Sequence, residues 1–154
     1  MSAAQLITRA KTYLPQDRVR FVQDALAFAT NAHEGQTRSS GEQYIEHPVA
    51  TALYLANINL DSVTLAAALL HDVIEDTGVT KAELEKRFGA DVARLVDGVT
   101  KLKRLDLLAQ EVAVSNGSTP RPIEPTAEAA RIASLRKMLV AMASDIRVVL
   151  IKLA

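Results

Sequence analysis

The run Leu65-Ala66-Ala67-Ala68-Leu69-Leu70 leads directly into His71-Asp72, and this junction constrains the fold more than any other stretch of the chain. Strong helix formers that are apolar on every side predict a helix buried in a core. That helix ends on two side chains able to bind a metal, presented from one anchored turn. An imidazole nitrogen beside a carboxylate oxygen suits Mn, Fe, Zn or a related divalent ion, and the absence of Cys excludes a closed thiolate site.

His47 offers a third donor from a second segment. It precedes Pro48, and proline favours the first position of a helix, so His47 is expected at a helix entrance with restricted backbone freedom. Three protein ligands leave positions open for water and substrate. Glu75 follows His71 by four residues and Asp76 follows Asp72 by four, so a helix continued for one more turn sets each acid beneath a ligand. If Thr77-Gly78 ends the helix early, both acids still stay near the metal. Carboxylates in that position orient an attacking water, accept its proton or shape the local charge. Taken singly, His-Asp is weak evidence, His47 reads as a cap or surface residue, and Glu75-Asp76 reads as a solvated helix end. The fixed order and apolar framing of all five turn the reading toward metal-assisted phosphate-ester hydrolysis.

The rest of the chain reads as one all-α domain. With 154 residues, 49% of them hydrophobic, it can bury a substantial core without disulfides. Residues 3–13 form a short amphipathic segment broken at Leu14-Pro15. Asp17 to about His33 carries Val19, Phe21, Val22, Ala25, Leu26 and Phe28 at helical recurrence. After a polar loop over 34–46, helices follow near 48–57 and 62–73, the latter capped by Asp61. Thr80 and Glu83 have the spacing of a capping box, Gly89 ends that helix, and Asp91 to Lys103 begins the next. Residues 106–126 are expected to be a mobile loop, since Ser115-Asn116-Gly117-Ser118-Thr119-Pro120, Pro122 and Pro125 prevent a continuous helix. Thr126 caps a helix through about Ala143, and Ile146 to Leu153 closes the chain with another.

Charge excludes some functions. With 18 Lys plus Arg against 18 Asp plus Glu and only 4% aromatic residues, the chain has neither the basic surface nor the stacking platform for extended nucleic-acid binding. A small phosphorylated ligand remains compatible, because a metal and a few placed cations can receive it. No stretch approaches the roughly 20 apolar residues needed to cross a bilayer, and no secretion signal opens the sequence. With no Cys, the expectation is a soluble protein of the cytoplasm.

Tyr44-Ile45-Glu46-His47-Pro48, Ala67-Ala68-Leu69-Leu70-His71-Asp72-Val73-Ile74-Glu75-Asp76-Thr77, Phe88-Gly89, Val99-Thr100-Lys101-Leu102 and the closing Asp145 to Ala154 occur in order. Together they resemble the N-terminal hydrolase domain of RelA/SpoT proteins, from Asp17 onward. The resemblance implies an HD-type helical bundle that binds Mn²⁺ and removes the 3′-pyrophosphate from guanosine tetra- or pentaphosphate. It implies His47, His71 and Asp72 as metal ligands and Glu75-Asp76 as the pair that positions or activates water. Arg38-Ser39-Ser40-Gly41-Glu42-Gln43-Tyr44 matches the family's nucleotide-binding loop, with Arg38 stacked on guanine and Ser40 close by. Ser39 replaces the usual Lys and Gln43 the usual Pro, which removes one cation and some rigidity.

In the family the closing Lys-Leu-Ala continues into a segment that holds the fourth metal ligand, an Asp directly after the Ala. This sequence ends on Ala154. Asp145 cannot stand in, because ten residues along a helix displace it about 15 Å and rotate it about 80°. The expectation is therefore a fragment of a longer protein, weakened in metal binding and hydrolysis, with synthetase and regulatory domains elsewhere in the parent. Two alternatives stay open: an HD phosphohydrolase acting on another nucleotide, and a catalytically inactive nucleotide-binding regulatory domain.

Overall fold

The computed structural model describes residues 2–37, 43–115, 132 and 145–154, with side chains through Arg104 in the second of these stretches. Helix α1, Ala3–Ala10, opens on a capping box in which Ser2 Oγ accepts from the Gln5 amide and Gln5 Oε1 from the Ser2 amide. Helix α2, Gln16–Ala32, begins directly after Pro15. Helix α3, Glu46–Asn57, precedes α4, Ser62–Leu70, whose first-turn amide at Thr64 is held by Asp61 Oδ1 at 2.9 Å. A single turn, α5, covers Val73–Asp76. Helix α6, Lys81–Phe88, starts on the Thr80–Glu83 capping box and stops at Gly89, whose φ of 92° suits a residue without a Cβ. Helix α7 runs Ala90–Ser115 and α8 covers Ile146–Leu153. Among the described residues there is no strand, only an isolated antiparallel bridge between Thr37 and Gln43. The all-α expectation therefore holds.

Helix α4 is the axis of the domain. Every residue in it except Val63 is buried, and α2, α3, α7 and α8 all pack against it. The core gathers Leu65, Leu69 and Leu70 with Val22, Leu55, Leu95 and Val99 from those neighbours. Burying one such side chain contributes about 1.5–3 kcal/mol, so the apolar run anchors the polar pair that follows it.

Three boundaries differ from the sequence expectation. Helix α3 starts at Glu46, so Pro48 lies inside the first turn, where its missing N–H costs nothing because first-turn donors have no intrahelical acceptor. The helix expected over 62–73 ends at Leu70, and a turn at His71-Asp72 separates it from α5. The loop expected over 106–126 is corrected for residues 106–115, which continue α7. That stretch is Asp106-Leu107-Leu108-Ala109-Gln110-Glu111-Val112-Ala113-Val114-Ser115, largely good helix formers, and the Gly and Pro breakers come only afterwards. Residues 116–126, and nearly all of the helix expected over 126–143, lie outside the described residues.

Gly98 sits inside α7 where α8 crosses it. A Cβ added there would lie 2.8 Å from Val148 Cγ2, and a β-branched neighbour on a short helix cannot move aside freely. Gly98→Ala is therefore expected to destabilise the protein by about 1–3 kcal/mol, despite Ala's better helix propensity. A urea titration reads this directly, and a stabilised variant would contradict the packing described. At the start of α8, Asp145 Oδ1 accepts from the Arg147 amide at 3.1 Å, and Oδ2 meets Arg147 Nη2 at 2.6 Å. The Arg147 hydrogen bonds, acting against burial, hold the Asp145 carboxyl below its usual range. A depressed carboxylate contributes stability above its unfolded pKa of about 3.9 and loses it as pH falls. Asp145→Asn should thus cost about 1 kcal/mol at neutral pH, with the difference shrinking below about pH 4 in pH-resolved melts.

Candidate metal centre

Where α4 ends, the His71 ring turns back on its own helix, and Nδ1 lies 2.7 Å from the Ala68 carbonyl. A carbonyl only accepts, so Nδ1 carries a proton and Nε2 is the ring nitrogen left to face the site. Nε2 points at Asp72 Oδ2, 3.2 Å away. At that distance the two atoms share a cation, either a proton on Nε2 or a metal ion in its place. His47, from the first turn of α3, brings its ring edge-on to His71 with centroids 5.2 Å apart. One donor atom from each of His47, His71 and Asp72 lies within 4.8 Å of the others, with His71 and Asp72 buried and His47 half-buried. Two imidazoles and a carboxylate converging in this way fit a divalent ion of intermediate hardness. The structure thus brings together the three residues that the sequence nominated.

Asp72 is fixed as a carboxylate. Burial alone would raise its pKa, but the hydrogen bond and charge of His71 and the charge of Lys103 outweigh it and hold the group well below the ordinary carboxylate range. Lys103 reaches in from α7, with Nζ 3.3 Å from Asp72 Oδ1 and 2.8 Å from Glu75 Oε2. Its pKa is raised: desolvation opposes the charge, and the carboxylates of Glu75 and Asp72 more than compensate.

The helix break does not remove the acids from the site. The amides of Glu75 and Asp76 both donate to the Asp72 carbonyl, at 3.1 and 3.0 Å, which folds α5 back beside the ligands. Tyr44 donates its hydroxyl to Asp76 Oδ2, and that hydroxyl lies 3.5 Å from Asp72 Oδ2. Behind Tyr44 the buried His33 ring stacks at 4.5 Å, His33 Nδ1 meets Gln36 Oε1 at 2.9 Å, and Gln36 Nε2 donates to the Asp76 carbonyl. A cavity of about 230 Å³ opens here, lined by His47, His71, Asp72, Tyr44, Lys103 and the end of α8.

Sequence reasoning missed Lys103, Gln36 and the role of Tyr44. Lys103 lies 31 residues beyond Asp72, and its only local signal is an ordinary charged position on an amphipathic helix. Arg38 and Ser40, nominated for nucleotide binding, fall in 38–42, outside the described residues. The flanks of that segment are fixed by the Thr37–Gln43 bridge and by the Tyr44 amide donating to the Gln36 carbonyl.

The HD domain family matches residues 25–154. The chain is 50% identical over 144 residues to the bifunctional (p)ppGpp synthase/hydrolase SpoT of Escherichia coli K12, covering 94% of this chain and 18% of that protein. It is 49% identical over 145 residues to the guanosine-3′,5′-bis(diphosphate) 3′-pyrophosphohydrolase of Vibrio cholerae, again 94% of this chain and 18% of the relative. It is also 37% identical over 154 residues to the GTP pyrophosphokinase rsh of Brucella melitensis, all of this chain and 18% of the relative. The chain thus spans about 18% of the length of these relatives.

A divalent ion that binds only the folded site, at about 100-fold over its Kd, should stabilise the protein by about 2.7 kcal/mol. His71→Ala and Asp72→Asn are expected to abolish that gain in cation-dependent melts. Retention of the gain in both variants would place the ion elsewhere.

Proposed function

We propose, on the premise that the chain belongs to the HD-domain family, that it hydrolyses the 3′-pyrophosphate of guanosine tetra- or pentaphosphate, giving GDP or GTP and pyrophosphate. The observation that carries this reading is the convergence of His47, His71 and Asp72 within 4.8 Å, with the two acids of α5 beside them. Support for the substrate comes from the relatives, since the chain is about half identical to proteins named for that reaction.

In this reading His47, His71 and Asp72 hold Mn²⁺. The ion, when bound, supplies Lewis acidity to a phosphoryl oxygen and to water. His71 keeps Nε2 directed at the site because Nδ1–H is spent on the Ala68 carbonyl. Tyr44 fixes one oxygen of Asp76, leaving the carboxylate oriented to take the proton of the attacking water. Glu75, paired with Lys103, holds negative charge beside that water and steers its dipole. The water oxygen bonds to the phosphorus next to the ribose 3′ oxygen, the P–O3′ bond breaks, and the 3′ oxygen takes a proton from solvent. Arg38 stacks on guanine and Ser40 lies close by.

No described helix is long and apolar enough to cross a membrane. The cytoplasm is the location that suits a Cys-free chain acting on a nucleotide, and a longer protein with synthetase and regulatory domains is its proposed setting.

The test is manganese-dependent release of pyrophosphate and GDP from guanosine tetraphosphate. Asp76→Asn should lower kcat by about 10²–10⁴-fold with little change in manganese affinity, whereas His47→Ala should lose both. Release of orthophosphate, or preference for another nucleotide across a panel, would overturn the substrate assignment. Nucleotide binding without product, both in this chain and in a form extended past Ala154, would instead select the inactive regulatory reading.

A further inference from the structure

We propose that Lys103 is the pyrophosphate-binding cation of this site: its ammonium contacts the pyrophosphoryl group of the substrate and remains on the pyrophosphate that is released. This rests on the hydrolase reading above and goes beyond it by assigning a phosphate contact to a residue outside the ligand and acid motifs. Lys103 reaches from α7 into the same cavity as His47, His71 and Asp72. Its side chain is 36% exposed, so the ammonium is neither sealed in the core nor loose on the surface. Nζ touches Asp72 Oδ1 at 3.3 Å and Glu75 Oε2 at 2.8 Å, which plants it on the acidic wall of the cavity.

That placement is informative through its charge. Asp72, Glu75 and Asp76 put three acidic side chains on one wall, and an anionic pyrophosphoryl group entering beside them is repelled unless cations face it. A divalent ion and the ammonium groups of Lys103 and Lys152, which both line this cavity, offset the acids, and Lys103 is in ion-pair contact with Asp72 and Glu75. The obvious competing role is structural, in which Lys103 merely holds Asp72 in position for the metal. The two roles predict opposite signs for metal binding. An ammonium 3.3 Å from a ligand oxygen competes electrostatically with a cation on the same carboxylate, so its removal should strengthen metal binding if Asp72 is already positioned by its own turn. If Lys103 positions Asp72, its removal weakens metal binding. Asp72 has independent anchors, since its backbone carbonyl accepts two amides of α5 and its Oδ2 faces His71.

The test is calorimetric titration of the wild-type chain, Lys103→Gln and Lys103→Arg, first with Mn²⁺ alone and then with inorganic pyrophosphate on the Mn²⁺-saturated protein, circular dichroism confirming the fold of each variant. In Lys103→Gln, pyrophosphate affinity should fall about tenfold to a hundredfold, manganese affinity should rise about two- to tenfold, and Lys103→Arg should recover part of the pyrophosphate binding. Unchanged pyrophosphate affinity in Lys103→Gln overturns the proposal, as does a parallel loss of manganese and pyrophosphate binding, or wild-type protein that binds no pyrophosphate. Because both titrations are independent of turnover, the hydrolase reading fails separately. A wild-type chain that binds pyrophosphate through Lys103 yet releases none from guanosine tetraphosphate upholds the cation site and removes the substrate assignment.

Discussion

The hydrogen bond from His71 Nδ1 to the Ala68 carbonyl, 2.7 Å long and buried, is the contact on which the arrangement of this site depends. It does two things at once. It occupies a carbonyl in the last turn of α4, where helix ends need partners, and it sets the tautomer that leaves Nε2 facing Asp72. Its precision comes from the packing beneath it. Ala68 and its neighbours are fully buried between α2, α3 and α7, so the accepting carbonyl cannot wander, and the donor geometry inherits the rigidity of the core.

Around that fixed point the charges form a connected set rather than isolated pairs. Asp72 is shared between His71 on one oxygen and Lys103 on the other, while Lys103 is shared with Glu75. Tyr44 joins Asp76 to the same group and is itself braced by His33 and Gln36. Buried carboxylates survive only with such partners. The segment between α2 and α3 and the turn after α4 are thereby tied together through side chains, since Gln36 donates to the Asp76 backbone. A change on either side is felt at the acid that faces the site.

Much of this was legible in the sequence because it is local. The apolar run before His71-Asp72 forces a buried helix, Asp61 and Thr80 announce helix starts, and His47 next to Pro48 marks a helix entrance. What was not legible has physical reasons. The break at His71 coincides with its side chain meeting the Ala68 carbonyl, whereas Val73-Ile74-Glu75-Asp76 shows nothing that would end a helix. The end of α7 was not legible because good helix formers and turn-forming residues lie side by side across Ser115. Lys103 and Gln36 reach the site only through tertiary packing, over separations of 31 and 40 residues, where single-sequence spacing carries no signal. The comparisons bear out the HD-type resemblance, while the nucleotide-loop residues Arg38 and Ser40 remain proposals from motif alone.

The central claim is that His47, His71 and Asp72 jointly hold one divalent ion. Pulsed electron paramagnetic resonance of the Mn²⁺-loaded chain tests it most directly, because directly coordinated imidazole nitrogens couple to the manganese electron spin. The account predicts nitrogen couplings from two histidines, reduced to one in His47→Ala and again to one in His71→Ala. A spectrum without nitrogen coupling, or one unchanged by either substitution, would contradict it.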